Sequence, residues 1–456
     1  MISLHFLNKT DVKTSFCLVL LSQKEIKNIV KINSQKIINA WAMYDWANSV
    51  YALIITTAIF PIFYEKTTPE KVEFFGQTFI NTELYSYVIS FSFMLLVVLS
   101  PILSGMADYS GNKKKYLQFF CYLGAFSCIS LFFFDAESAL ELSMLPVLLA
   151  SIGFSGSLVF YNAYLPEIVT PDLQDNVSAK GFSLGYIGSS LLLIVCLVLL
   201  QGFDMPVKWA FVITGFWWMG FAQFTFMVLP NNVYNKRPKG NRFLKGFKEL
   251  KKVFKELKHQ YNLKRYLSAF FVYSMGVQTI MLMAVFFGTK EIEWSSSEEM
   301  QTGLIVSILV IQFIAVAGAQ GMAFLSKKIG NIKTLLFVVF CWIIICISAY
   351  SLVYKPLHFY IIAGSIGLVM GGIQSLSRST YSKLLPETQD HASYFSFYDI
   401  LEKTGVVIGT FFFGFIEGLF DIRSSVLILI VFFIVGFLLL LRVKSTKNIL
   451  NEAMEK

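Results

Sequence analysis

The chain has 456 residues, of which 55% are hydrophobic and 16% aromatic, and its mean hydropathy is +0.62. Soluble proteins contain about 25% charged residues, whereas this chain contains 15%. The composition excludes an ordinary soluble protein and predicts an integral membrane protein. The net charge of +9 could suggest nucleic acid, but the sequence shows no groove-reading motif, so we expect no nucleic-acid partner.

Apolar runs of about twenty residues with few charges, the length that crosses a bilayer as a helix, recur along the chain. They occupy residues 40–63, 85–107, 116–134, 144–165, 181–200, 209–229, 266–288, 303–325, 334–354, 359–384, 395–418 and 424–441. We therefore expect an all-α polytopic membrane protein with twelve transmembrane helices.

The charges predict the orientation and the domains. If the N-terminal tail is cytoplasmic, most of the 38 Lys and Arg residues fall on the cytoplasmic side, which is the positive-inside pattern. We therefore expect a protein of the cell (inner) membrane with both termini in the cytoplasm. The apolar run from Phe16 to Leu21 is too short for a signal peptide. We expect a tail at 1–38, six-helix halves at 39–229 and 266–442, a basic linker at 230–265 and a tail at 443–456.

The first apolar run carries a carboxylate, Asp45, in its first turns. At helical spacing Asp45, Asn48, Ser49, Ala52 and Thr56 share one face. Such a stripe is costly against lipid, so we expect it to face other helices or a water-filled cavity. The alternative is a fixed ion pair or a helix cap at the cytoplasmic interface.

The two halves resemble each other in sequence. With a shift of about 220 residues, YNAYLPE (161–167) falls on YSKLLPE (381–387), and Gly185 on Gly405. One residue away, Gly111 and Asn112 fall on Gly330 and Asn331. Two six-helix repeats joined by a linker are the plan of many secondary transporters, whose binding site lies between the halves.

The loop SGMADYSGNKKK at 104–115 resembles the cytoplasmic signature of the major facilitator superfamily. Asp108, Gly111, Lys113 and Lys114 match it, whereas Ser104 and Tyr109 replace the usual glycine and arginine. Glycine permits a tight turn between helices, and an aspartate near cations can latch helix ends in one conformation. The alternative is that the lysines only enforce topology.

A narrower resemblance rests on WAMYDWANSVY (41–51), YNAYLPE (161–167), GYIGS (185–189) and GGIQSLSRS (371–379). These strings resemble the vacuole-effluxer-like branch of that superfamily, whose prokaryotic relatives form an Unknown Major Facilitator family, over residues 36–442. The resemblance implies the major facilitator fold, and its eukaryotic members are associated with amino acid export from the vacuole. Met275 stands where the branch has an acidic residue before glycine.

Charged and amide side chains inside the apolar runs are the candidates for contact with solute or protons, because a buried charge is costly unless it has a partner. Arg378 or Lys403 could be the partner of Asp45. Lys403 could instead receive a carboxylate, and its neighbour Glu402 could be a counter-ion; adjacent helical residues point roughly 100° apart and should not face the same cavity. The amides could instead hold helices together. The candidates are Asp45, Asn48, Asn162, Gln278, Gln374, Arg378, Glu402 and Lys403.

A second group should act in gating. Glu167 and Glu387 each follow a proline at equivalent cytoplasmic ends of the two halves and are expected to be symmetric gate or cap residues. With them we place Asp108, Gly111, Lys113 and Lys114 of the signature loop.

The linker segment FLKGFKELKKVFKELK at 243–258 places Phe243, Phe247, Leu250, Phe254 and Leu257 on one helical face, with lysines around the rest. We expect a helix that lies on the cytoplasmic leaflet and contacts anionic lipid. A solvated linker is the alternative.

Other protein classes find little support in the residues. No phosphate-binding loop is present, the four histidines are scattered, and the six cysteines lack metal-ligand spacing. We therefore predict no enzyme, no cofactor and no metal. The expected function is secondary transport of a small polar solute by a monomer with alternating access, with amino acid efflux and proton coupling through Asp45 as hypotheses. A transport-inactive sensor or scaffold with the same fold is the alternative.

Overall fold

The computed structural model of the chain describes residues 32–136, 140–234, 236 and 242–444. The apolar run from Phe16 to Leu21, Cys17 and most of both predicted tails lie outside these ranges. The five described cysteines are free, and four of them are buried, in keeping with their interpretation as small apolar core residues.

The first half is helical apart from one short hairpin. Its elements are α1 (Gln35–Val50), a π-helical segment (Tyr51–Ala58), α2 (Phe60–Thr67), β1 (Lys71–Phe74), β2 (Gln77–Ile80), α3 (Asn81–Ser110), α4 (Lys113–Ser130), a 3-10 turn (Leu131–Phe133), α5 (Leu140–Asn162), α6 (Leu165–Ile168), α7 (Gln174–Gly202) and α8 (Lys208–Val228).

The linker and the second half contain seven helices among the described residues. They are α9 (Arg242–His259), α10 (Tyr261–Glu291), α11 (Ser297–Ile329), α12 (Asn331–Leu352), α13 (Pro356–Leu384), α14 (His391–Leu419) and α15 (Ile422–Leu440).

Eleven helical stretches of the described chain are long and apolar enough to cross a membrane, with α1 to α2 counted as one. The twelfth expected span corresponds to α14, which is 29 residues long and packs against α3, α10 and α15. It carries Asp399, Glu402 and Lys403 within about one turn, which lowers its apolar character. The chain is an integral, multi-pass membrane protein built from two groups of six helices.

The first span changes its helical pitch where it meets the interior. Between α1 and α2 the segment Tyr51–Ala58 is π-helical, and the Thr57 hydroxyl donates to the carbonyl of Ala52 at 2.9 Å. Pro61 follows in the first turn of α2 and has no backbone N–H to donate to the preceding turn. Such π-helical segments are frequent at functional sites.

A two-stranded hairpin stands between the first and second spans. β1 and β2 are antiparallel, with Lys71 opposite Ile80 and Phe74 opposite Gln77. Phe75 and Gly76 both have positive φ at the turn, as a two-residue hairpin turn requires. The all-α expectation overlooked this element, because a search for long apolar runs does not detect strands of four residues.

The expected internal repeat is confirmed by backbone and packing. Gly111 and Gly330, aligned in sequence, both have positive φ and separate the second from the third span of each half. In the first half α1 packs on α7 and α8, and α4 on α5 and α8; the matching pairs in the second half are α10 with α14 and α15, and α12 with α13 and α15. Each half is therefore the same six-helix unit.

We call one end of the bundle the basic face: it holds the start of α1, the Gly111 turn, α9, the end of α13 and the start of α14. The helix expected in the linker is present as α9. Gly246 of α9 meets Gly105 of α3 backbone to backbone, so that a Cβ on Gly105 would lie 2.4 Å from the Gly246 carbonyl oxygen. Phe247 and Phe254 are about half exposed, at 51% and 48%. Only part of the apolar face of α9 is thus exposed.

Replacing Gly105 by Val should separate α9 from α3, because the new side chain would overlap the Gly246 backbone. We expect a destabilisation of about 1–3 kcal/mol, which is typical of overpacked sites, measured as a lower midpoint of thermal unfolding. Gly220→Val is the matched control, since a Cβ there meets no atom within 4 Å. Equal midpoints for the two variants would contradict the packing of α9 on α3.

Candidate solute cavity and gate

A cavity of about 330 Å³ lies between the two halves. The helices that border it are α1, α3, α5 and α7 of the first half and α10, α11, α13 and α14 of the second. All eight residues that the sequence predicts for solute or proton contact line it: Asp45, Asn48, Asn162, Gln278, Gln374, Arg378, Glu402 and Lys403. The structure thus brings into one space residues that lie more than 350 positions apart.

Most of the remaining lining is apolar or aromatic, and a few polar atoms in it lack partners. The side-chain nitrogen Nδ2 of Asn48 and the oxygen Oε1 of Gln312 are buried without a hydrogen bond to any described residue. A buried donor or acceptor without a partner costs roughly 1–3 kcal/mol. A polar solute in the cavity could satisfy both atoms.

Three charged groups of α14 lie beside the cavity. Lys403 Nζ is 3.7 Å from Glu402 Oε2 and 3.9 Å from Asp399 Oδ1, and it lies over the Phe93 ring of α3 at 5.5 Å from the ring centre. Gln278 of α10 donates to Glu402 at 2.9 Å. The expectation that Glu402 and Lys403 do not face the same cavity is wrong, because both residues line it.

At the end of the cavity nearest the basic face, Asp45 and Arg378 form a buried ion pair between the halves. Both terminal nitrogens of Arg378 donate to Asp45 Oδ2 at 3.2 Å, and the Tyr161 hydroxyl donates to the same oxygen at 2.8 Å. The side chain of Arg378 is 4% exposed and that of Asp45 is 7% exposed. Charges buried this deeply are costly unless they are paired and hydrogen-bonded, and both conditions are met by this pair, which connects the two halves.

The surroundings of Arg378 fit its guanidinium closely. Nε donates to the Ser178 hydroxyl and Nη2 to the Ser178 carbonyl, both at 2.9 Å, and Nη1 donates to Asn162 at 3.3 Å. The rings of Trp41 and Phe182 lie 4.8 and 4.2 Å from the guanidinium carbon, within the range of cation–π attraction. All of these partners of Arg378 belong to the first half, whereas Arg378 belongs to the second.

The close approach of α7 to the Asp45–Arg378 pair requires glycine. A Cβ on Gly181 of α7 would lie 2.3 Å from Asp45 Oδ2, and one on Gly185 would lie 2.4 Å from the Ser49 hydroxyl. The glycines of the GYIGS region therefore allow α7 to approach the polar stripe of α1. They act in helix packing, as small residues commonly do in membrane bundles.

The signature loop also joins the halves. Asp108, at the end of α3, accepts hydrogen bonds from the backbone N–H groups of Ala392 and Ser393 at 3.2 and 2.7 Å. These groups are the free donors in the first turn of α14, where the helix dipole favours a negative charge. Gly111 ends α3 with φ +69°, and a Cβ there would collide with Asn232. Asp108 and Gly111 thus shape the contact between α3 and α14.

A buried cluster beside this contact contains Glu167. Its Oε1 accepts a hydrogen bond from Lys113 and lies 3.0 Å from His391 Nδ1, and the same histidine nitrogen lies 3.1 Å from the Tyr234 hydroxyl. Lys114 instead donates to the carbonyl of Leu229 at 2.9 Å. Glu167, on the first half, is therefore linked through His391 to the second half.

On the other side of the basic face, Asp175 of α7 joins the second half through three donors. Asp175 Oδ2 accepts from the Ser326 hydroxyl at 2.8 Å and from Lys383 Nζ at 2.6 Å, and Oδ1 accepts from Asn331 at 2.7 Å. Only 2% of Asp175 is exposed. Sequence reasoning missed this residue, because an acidic side chain in the first turn of a helix is typical of an ordinary cap.

The structure separates Glu387 from the other expected gate residues. Glu387 is exposed and forms no ion pair with any described residue, whereas Glu167, its repeat equivalent, is buried and paired. The nearby carboxylate that does contact the linker is Asp390, which pairs with Lys252 of α9 at 2.9 Å and raises the pKa of that lysine. Sequence reasoning missed His391 and Asp390, because a charged residue at a helix end has the same sequence pattern whether it is a solvated cap or a buried contact.

The polar contacts between the halves lie toward one end. Within the described ranges, the hydrogen bonds and ion pairs that join them run from the Tyr186–Gln374 bond, at 2.5 Å, to the basic face. Beyond that level the cavity continues past Thr56 of the π-helical segment, Ile89 of α3 and Val285 of α10. This conformation is closed at the basic face.

Two six-helix repeats around a central cavity define a secondary transporter of the major facilitator superfamily, and solved structures share the fold. The fucose:proton symporter FucP of E. coli superposes with a TM-score of 0.64 at 14% identity, over 90% of this chain and 98% of FucP. Residues 33–453 match the family "Vacuole effluxer Atg22 like". The chain belongs to that family and is a transporter, not an enzyme.

Relatives within the family are similar over most of their length. The "Uncharacterized MFS-type transporter YxiO" of Bacillus subtilis is 34% identical over 88% of this chain and 93% of its own. Autophagy-related protein 22 of Pichia angusta is 23% identical over 79% of this chain and 75% of its own. The resemblance found in the sequence strings is thereby confirmed.

Proposed function

We propose that the protein exports a small zwitterionic solute, an amino acid, across the cell membrane by alternating access that is coupled to proton movement. The observation that carries the solute class is the pair formed by Lys403 and Glu402, opposite charges 3.7 Å apart that line one cavity. A zwitterion offers a carboxylate to the ammonium and an ammonium to the carboxylate. Solute and pair are thus complementary in charge at short range.

The size of the cavity supports a small solute. Its volume of about 330 Å³ lies near the lower end of ligand sites, which span roughly 300–1,000 Å³. Asn48 offers a hydrogen-bond donor, and Gln312 an acceptor, to the other polar atoms of the solute. Export is supported by the family description, a vacuole effluxer, and the cytoplasmic location of the basic face by its lysines.

In this proposal Asp45 and Arg378 act as a gate and not as the solute site. Every terminal nitrogen of Arg378 already donates to the protein, which leaves no free donor for a solute. The contacts made by Asp108, Glu167 and Asp175 close the basic face around it. Opening to that side then requires Arg378 to leave the first half.

The proposal is tested in vesicles that contain the purified protein and an imposed pH gradient. Each of the twenty standard amino acids is supplied in turn as a radiolabelled solute. We expect gradient-dependent movement of one or more of them, and a loss of about 30-fold or more in Lys403→Met, because removing one partner of a buried charge contact costs about 2–5 kcal/mol. Lys403→Arg should retain part of the activity.

Lys355→Met is the matched control. Lys355 is an exposed cation directly before α13, at the end of that helix away from the basic face. Equal transport by Lys403→Met and Lys355→Met would contradict the assigned site. If no amino acid moves in any vesicle, the result favours the second candidate, a transport-inactive sensor or scaffold. That candidate is also favoured by Met275, which is apolar where the family resemblance implies an acidic coupling residue.

A further inference from the structure

The charges on α14 do not balance. Asp399, Glu402 and Lys403 lie within one helical turn of each other and together carry one excess negative charge. Asp399 and Lys403 are 5% and 8% exposed. An unbalanced charge at this depth in a membrane protein is costly, and such groups commonly belong to proton or ion pathways.

The Lys403 ammonium lies between two carboxylates and forms a hydrogen bond with neither. Lys403 Nζ lies 3.9 Å from Asp399 and 3.7 Å from Glu402, both beyond hydrogen-bond distance. Among the described residues Lys403 has no hydrogen-bond acceptor, although its side chain is 90% buried and borders the cavity. A buried ammonium with unused donors beside a cavity points to an anionic group of a ligand.

The two carboxylates differ in what supports their charge. Glu402 accepts a hydrogen bond from Gln278 at 2.9 Å and its side chain is 23% exposed. Asp399 accepts no hydrogen bond from any described residue and its side chain is 7% exposed. Hydrogen bonds and solvent favour the ionised form of a carboxyl group, and burial without them favours the protonated form. Asp399 therefore depends on Lys403 more than Glu402 does.

The neighbouring helices bring no further charge to Asp399 at its depth. The charged residues of the described helices that pack against α14 lie in the first or last turns of those helices or on the basic face. They are Glu83 and Asp108 of α3, Glu141 of α5, Lys264, Arg265, Lys290 and Glu291 of α10, Arg423 of α15, and all the charged residues of α9, with Lys252 and Glu256 among them. Across the cavity, Asp45 and Arg378 neutralise each other.

We propose that Asp399 takes up the coupling proton when Lys403 turns to the anionic group of the solute. This inference rests on the proposed function, because it needs a solute anion at Lys403. As the ammonium moves into the cavity, the Asp399 carboxylate loses its counter-ion and binds a proton from water on the open side. When the solute leaves, Lys403 returns and the proton is released. Solute and proton thereby favour each other's binding.

The proton site can be tested without any solute, so that its failure is distinct from failure of the transport proposal. Lys403→Met imitates the withdrawn ammonium with an apolar side chain of similar length. Infrared difference spectra of the purified variant in vesicles, recorded during a pH titration through neutrality, should show the carbonyl band of a protonated carboxyl group. Lys403→Arg keeps the positive charge and should not show it.

Two double variants assign the band. It should disappear in Lys403→Met/Asp399→Asn and remain in Lys403→Met/Glu402→Gln, with size-exclusion chromatography confirming that each variant is folded. A band that follows Glu402 instead, or no band in Lys403→Met, would overturn the inference.

Discussion

Asp45→Asn is expected to abolish most transport and to destabilise the conformation that is closed at the basic face. The asparagine can still accept hydrogen bonds from Arg378 and Tyr161, but the buried guanidinium loses its only counter-charge within 4 Å in the described chain. Leaving one member of a buried pair costs about 3–5 kcal/mol. A change of about 3 kcal/mol shifts the equilibrium between closed and open forms by roughly a hundredfold.

The measurements are the transport rate in vesicles and the thermal unfolding midpoint of the purified variant. Adding Arg378→Gln to Asp45→Asn should restore part of the lost stability, since removal of both charges is often nearly neutral. Glu65→Gln, an exposed carboxylate at the other end of the same span, is the control. If Asp45→Asn behaves like Glu65→Gln, the buried pair does not hold the gate.

Asp175→Ala should have the second largest effect. The substitution leaves Lys383, Asn331 and Ser326 without the carboxylate on which they converge, and Lys383 is only 14% exposed. We expect a loss of about 3 kcal/mol in stability, in the range for a buried ion pair broken on one side. The loosened contact between α7 and α11 should also slow transport.

Asp172→Ala gives the matched control, because Asp172 precedes the same helix and is exposed. Thermal unfolding of the two variants in the same detergent separates a latch from a surface charge. Equal midpoints for Asp175→Ala and Asp172→Ala would show that the three donors find other partners at no cost.

The sequence predicts the cavity better than the gate. Asp45, Arg378 and Lys403 could be found because a charge inside an apolar run is costly and must have a partner or a cavity. The sequence offers Arg378 and Lys403 as partners for Asp45 but cannot choose between them, since only the packing of α1, α7 and α13 brings residues 45 and 378 of the two repeats together.

At the basic face, the cost of a charge inside an apolar run does not help to identify functional residues. Asp175, Asp390 and His391 stand at helix ends, where a solvated cap and a buried latch have the same sequence pattern. Glu167 and Glu387 show the limit of the repeat: the two positions are equivalent in sequence, yet only Glu167 meets a buried lysine. Likewise, the periodicity of α9 indicates an apolar face but not that Gly246 would meet Gly105.

The central claim is that Asp45 and Arg378 hold the two halves together at the basic face in one of two conformations. Electron spin resonance distances between labels at Asp172→Cys and Glu387→Cys, both exposed on that face and on opposite halves, test it directly in a background without the native cysteines. We predict one short distance in the otherwise unaltered protein and a second, longer population after Asp45→Asn. Identical distance distributions with and without Asp45→Asn would contradict the account.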